Sequence, residues 1–362
     1  MPCNKNQHFV PRCYLSPFTD VGEGKAINLF NLDHNRAIRG APVKGQCSGD
    51  YFYGDDLVLE KLLQTFEGRY AARLRAILEP NYELTEHDGA MLKEFWLLQY
   101  LRTDASSRTM VAMVAQMDDD MGGLPPGYLT NIKEAVQTAM HIFFENSGSV
   151  ADLNIRLVRN RMDRPFITSD NPAVMTNRWH LTDRRAELIV PGLLSAGMTG
   201  FLPLSSDVLC AIYDSDLYSV MHQRGWVDLV NSADLDAFNE QQILACQHNV
   251  YFQRWNDRRY VAELVGKVGE GRPTAGYELT YAILDGAKGD SKVYRAVTAL
   301  EAKGHQESIV HSSRVLPTPS RWPSMIRWRS GGVVYDSGNG TGFSRKQTRD
   351  PSGGYTRLRV RP

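Results

Sequence analysis

Between Asp55 and Glu79 apolar residues recur at three- and four-residue steps: Leu59, Leu62, Leu63, Phe66, Tyr70, Leu74, Ile77 and Leu78. That period predicts an amphipathic helix, and Pro80 ends it. A second helix is predicted from Thr85, which forms a capping-box-like pair with Asp88. Its stretch Phe95–Arg102 is apolar almost all round, which predicts central burial. Two more helices follow, over Ser106–Met121 and Leu129–Asn146. The stripe Met110, Met113, Met117 and Met121 reads as core packing. Beyond residue 150 the pattern shortens. Leu153–Val158, Pro165–Thr168, Glu187–Val190, Gly200–Leu204 and Val208–Tyr213 read as strands between turn residues. Ala26–Leu32 reads as an earlier strand and Ala233–Gln247 as a later helix. Helices first and strands later, without strict alternation, predict an α+β fold, a helical N-terminal half packed with a mixed or antiparallel sheet. Residues 1–311 are expected to form one large domain, with a subdomain junction near residue 150.

Composition narrows the class. The chain has 362 residues, and its 42% hydrophobic content suffices for a sizeable core. Five cysteines exclude a disulfide-built secreted scaffold and point to a reducing compartment. No run approaches the roughly 20 apolar residues that span a bilayer, so a cytoplasmic protein without membrane contact is expected.

The net charge of zero hides an asymmetry. From Ser312 to Pro362 there are ten basic residues against Asp336 and Asp350, so this segment carries +8 and the body −8. The segment is also rich in Gly, Ser and Arg, which predicts a flexible tail. It reads either as a solvated tail docking on the acidic body or as an arm for nucleic acid. In the second case Arg327 and Arg329 would contact phosphates and Trp328 would stack on bases.

Three segments carry candidate chemistry. In Gln7–Phe18, His8 and Arg12 lie four residues apart around Pro11. His8, with an ordinary pKa of about 6.5, suits acid–base work or metal ligation, and equally a structural role. In the second helix Gln99 and Arg102 share a face. A buried guanidinium there needs an anion, either Glu67 of the first helix or a ligand phosphate or carboxylate. In Phe166–Pro172 an apolar strand runs into Ser169-Asp170-Asn171-Pro172, where Asp170 could be a base or metal ligand and where turn chemistry is the simpler reading. The Asp118–Asp120 run reads as a solvated helix end. Gly-x-Ser-x-Gly, P-loop and zinc-site spacings are absent.

Taken in order, these motifs resemble a bacterial family known as domain of unknown function 4238. The resemblance rests on Gln7-His8-x-Val10-Pro11-x-x-Tyr14-Leu15-x-x-Phe18, Phe52-Tyr53, Glu67 and Gln99-x-x-Arg102-Thr103. It continues through Thr168-Ser169-Asp170-Asn171-Pro172, Phe201-Leu202-Pro203-Leu204-Ser205 and Phe238-Asn239 before His248. It covers roughly residues 4–255, and no role passes to His248. The mixture of polar residue types suggests that His8, Glu67, Gln99, Arg102, Asp170 and Asn171 converge on one pocket. The leading expectation is a hydrolase of phosphodiester bonds, a nuclease of a bacterial defence or mobile-element setting. Glu67 and Asp170 would hold Mg²⁺ or Mn²⁺, His8 would act as base, Arg102 would stabilise phosphate charge and Arg12 would bind substrate. A metal-free hydrolase using His8 and Glu67 is the nearest variant. The alternative is a non-enzymatic module for nucleic acid or protein, its polar motifs forming a structural network.

Overall fold

A computed structural model describes residues 5–125, 127–186, 191–289, 291–336, 338, 342–349 and 354–360. The strand expected at Glu187–Val190 lies outside the described residues. Six longer helices are α1 (Val58–Ile77), α2 (Glu86–Arg102), α3 (Asp104–Met121), α4 (Ile132–Asn146), α5 (Ser232–Ala245) and α6 (Arg258–Val268). Their starts follow local capping chemistry. Thr85, Thr103 and Asn131 each accept a hydrogen bond from the third backbone N–H of their helices, and Glu134 completes a capping box with Asn131.

The frame is a five-stranded mixed sheet in the order Trp226–Leu229, Asn154–Asn160, Val208–Tyr213, Thr199–Pro203 and Val174–Thr176. The first pair is parallel and the others antiparallel. Val208–Tyr213 is buried along its whole length and serves two cores by alternation. Val208, Cys210 and Ile212 pack with Leu92, Trp96 and Leu98 of α2. Leu209, Ala211 and Tyr213 pack with Phe238 of α5 and with Val334, Phe343 and Val360. Trp96 lies so close to the sheet that a Cβ on Gly200 would meet its ring at 2.8 Å, so only glycine fits there. A second sheet, ordered Arg36–Pro42, Ala26–Asn31, Asn249–Phe252 and Thr168–Ser169, carries α6. The fold is α+β.

Two expectations about organisation change. No break occurs near residue 150, because one core runs from Val10 through α1, α2 and α4 into Ile155, Leu202 and Tyr251. The segment after residue 311 is not a free tail. Ser308–Arg314 crosses the expected boundary as an edge strand on Tyr277–Lys288. Val333–Asp336 pairs with Phe343–Ser344 and Thr356–Arg359, and Arg327–Trp328 pairs with Tyr218–Ser219. A few well-spaced apolar residues (Ile326, Val334, Phe343 and Val360) overcome the polar composition by packing onto the sheet.

Arg345 fixes this segment. Only 1% exposed, its guanidinium grips Asp152 in bidentate fashion at 2.7 and 2.9 Å. It also donates to the carbonyls of Ser149, Leu193 and Ser195. One of the ten basic charges counted in this segment is therefore spent on folding.

Nearby, burial pushes the His180 imidazole down to about 4. The unfolded chain takes up a proton near pH 6.5 that the folded chain refuses until about pH 4, so His180 lowers stability as pH falls across that window. The Asp214 carboxyl, pushed up to about 6 by burial, works in the opposite sense, its penalty growing as pH rises from about 4 to 6. Melting curves of His180→Gln and wild type should therefore diverge, with the variant gaining relative stability at pH 5 over pH 7. An unchanged difference between the two pH values would refute this account.

A candidate anion-binding cleft

The polar motifs separate into two places. His8, Arg12, Cys13, Glu60, Gln64 and Glu67 line a shallow hollow of about 290 Å³. Behind it lies Arg102, fully buried. Its Nη2 meets Glu67 Oε1 at 2.9 Å, and its Nε donates to the carbonyl of Phe9. With its amide turned so that oxygen faces the guanidinium, Gln99 accepts from Arg102 Nε at 2.7 Å. Gln7 joins the same frame by donating to the carbonyl of Gly54 and accepting from the Tyr53 N–H. Burial, reinforced by Arg12, lowers the His8 pKa, so that ring is neutral at pH 7. The pair Glu67–Arg102 ties α1 to α2.

Asp170 and Asn171 stand elsewhere. Asp170 is buried and accepts three backbone N–H groups, from Gln247 at 2.8 Å, His248 at 2.7 Å and Asn249 at 2.9 Å. Burial raises its pKa while these donors act against that shift. Asn171 donates to the carbonyl of Ala245 and accepts from Thr103 Oγ1. Ser169 and Pro172 are tied to Gln242 of α5. The whole Thr-Ser-Asp-Asn-Pro motif thus grips the chain where α5 turns into the strand Asn249–Phe252. Glu67 and Asp170 do not share a cation site as expected. One is committed to Arg102 and the other to main-chain donors, and among the described residues no group of three metal-ligating side chains occurs. The single pocket expected for six residues is a buried network on one side and a turn clamp on the other.

The clamped turn forms part of a cleft of about 590 Å³. Its walls come from α3 (Arg108), the end of α5 and following turn (Cys246 to His248), the loop before Tyr277 (Arg272) and the end of the strand Ser308–Arg314 (Arg314). Three guanidiniums line it against one carboxylate, Asp33. Arg108 is paired with Asp104 at 2.5 Å. Arg272 donates to the carbonyls of Cys246 and Gln247, bracing the turn again. Arg314 lies 4.4 Å over the Tyr100 ring with no ion-pair partner among the described residues. At the rim Asp33 Oδ2 meets His248 Nδ1 at 2.7 Å, with both side chains about half exposed. The carboxylate orients the ring and leaves Nε2 for chemistry.

Sequence reasoning passed over Asp33, Arg108 and Arg272, gave His248 no role and counted Arg314 only as tail charge. The three residues singled out for substrate binding in the C-terminal segment lie apart from the cleft lining. Arg327 is exposed, Arg329 donates to the carbonyl of Ser215, and Trp328 is half-buried between Tyr218 and Arg178. Among the described residues no helix is long and apolar enough to cross a membrane.

No curated protein and no solved structure matches this chain. A family model does, over residues 6–255, under the description protein of unknown function (DUF4238). That match spans both motif groups and the clamped turn, stops before Arg272 and Arg314, and covers more than half of the sequence: the chain belongs to the DUF4238 family.

Proposed function

We propose that the protein is a cytoplasmic hydrolase of phosphodiester bonds, that nucleic acid is its substrate, and that the reaction takes place in the arginine-lined cleft. The observation that carries this reading is the Asp33–His248 pair at the rim of a cleft with three guanidiniums and one carboxylate. Guanidiniums suit phosphate through planar, charge-assisted donors. A carboxylate-oriented histidine suits proton transfer. Arg314 and Arg108 would hold the phosphate and offset the charge that grows on it in the transition state. Arg272 and Asp170 act as positioning residues, since both hold the turn bearing His248 through main-chain bonds. A structural network of Glu67, Gln99 and Arg102, with His8 beside it, fits the buried arrangement, and it favours, as second reading, a module that binds nucleic acid without cleaving it.

The test uses the purified chain with labelled RNA and DNA. His248→Ala should lower cleavage by roughly 10²–10⁴-fold, with binding changed by less than about threefold and melting unchanged. Arg314→Glu should weaken binding at least about tenfold and flatten its salt dependence. Binding that follows Arg314 without any cleavage would select the second reading. If Arg314→Glu leaves affinity intact, the cleft is not the binding site.

A further inference from the structure

We infer that the substrate class is RNA, cut by attack of its own 2′-hydroxyl; this rests on the phosphodiester reading of the cleft. The argument comes from what the cleft lining holds. A phosphodiesterase that uses water as nucleophile must position and deprotonate that water, commonly with a metal held by several carboxylates or with a second base. Asp33 is the one carboxylate lining the cleft among the described residues, and it is engaged with His248. The carboxylate of Asp104 is engaged with Arg108. Asp170, below the turn, is saturated by three N–H donors. What the cleft does offer is one oriented base and several fixed positive charges. Those suffice when the nucleophile is already attached to the substrate, because an intramolecular hydroxyl needs neither capture nor orientation.

The step balances as follows. His248 Nε2 takes the proton of the 2′-hydroxyl, and the 2′-oxygen forms a bond to phosphorus. The bond from phosphorus to the 5′-oxygen breaks, and that oxygen receives a proton from the imidazolium. The products are a 2′,3′-cyclic phosphate and a 5′-hydroxyl, and His248 is returned neutral. Arg314 and Arg108 offset the charge on the non-bridging oxygens of the five-coordinate phosphorus. Asp33 stabilises the imidazolium without accepting its proton.

The experiment compares three oligonucleotides of one sequence, as RNA, as DNA and as 2′-O-methyl RNA, each incubated with the full-length protein. A fourth is RNA with a single deoxynucleotide on the 5′ side of a cleaved linkage. The expected result is cleavage of RNA alone, with 2′,3′-cyclic phosphate ends and at least 100-fold protection of the linkage after the deoxynucleotide. His248→Ala abolishes this cleavage, and Gln64→Ala, on the hollow outside the cleft, leaves it intact. Comparable cutting of DNA or of 2′-O-methyl RNA, dependent on His248, would overturn the RNA inference and leave phosphodiester hydrolysis standing. Cleavage of none of the four would overturn both.

Discussion

Replacing Arg345 with alanine should destabilise the folded chain by about 3–5 kcal/mol, a fall in melting temperature of roughly 10 °C for a chain of this length. The size follows from what is left behind. Asp152, which makes its ion pair with this guanidinium, would remain as a poorly solvated carboxylate. The carbonyls of Ser149, Leu193 and Ser195 would each lose a charged donor. Arg345 links the C-terminal strands to the turn after α4 and to the loop around Ser195, so its loss also loosens the packing of Phe343 and Val334 on the sheet. Arg345→Lys should recover only part of the loss, since a single ammonium cannot reproduce a planar fork with five donors. Denaturant unfolding monitored by tryptophan fluorescence provides the measurement. A loss below about 1 kcal/mol would mean that the C-terminal segment is held mainly by its apolar contacts.

The second large effect is expected at Glu67. Glu67→Ala should cost about 2–4 kcal/mol, below the upper range for buried pairs because the Glu67 side chain keeps 24% of its exposure. Most of that cost is the stranded charge of Arg102, which is 0% exposed. Adding Arg102→Met should therefore return much of the stability, as replacing both members of a buried pair with apolar groups is often near neutral. The double variant should also retain turnover per folded molecule. The opposite pattern, a Glu67→Ala protein as stable as wild type and inactive, would move the reaction centre to the hollow beside His8.

Local rules made the helices legible. The period in Leu59–Leu78, the Thr85 cap and the all-round apolar Phe95–Leu101 stretch predict α1 and α2 to within a few residues of their observed ends. The strand Val208–Tyr213 is also readable, as an unbroken apolar run. The C-terminal segment was illegible because its character was judged by average composition. The residues that fold it, Ile326, Val334, Phe343 and Val360, are few and widely spaced, and their partners lie on a distant sheet. For the site, sequence singled out Asp170 and Asn171, but their partners sit more than 70 residues away in the turn they clamp. Asp33 and His248 are separated by 215 residues. Neither pairing leaves a local pattern, because the strand Asn249–Phe252 creates both by pairing with Thr168–Ser169 on one side and Ala26–Asn31 on the other.

The clamp on residues 247–249 has a consequence for how this scaffold varies. Asp170 holds the turn by amide protons, which every residue type except proline supplies. The loop's shape thus rests first on main-chain bonds, to which the side chains of Asn249 and His248 add contacts with Asn31 and Asp33. It works as a socket in which the side chain at the cleft rim can be exchanged while the mounting stays the same. The side chain at position 248 can accordingly change without refolding the protein around it.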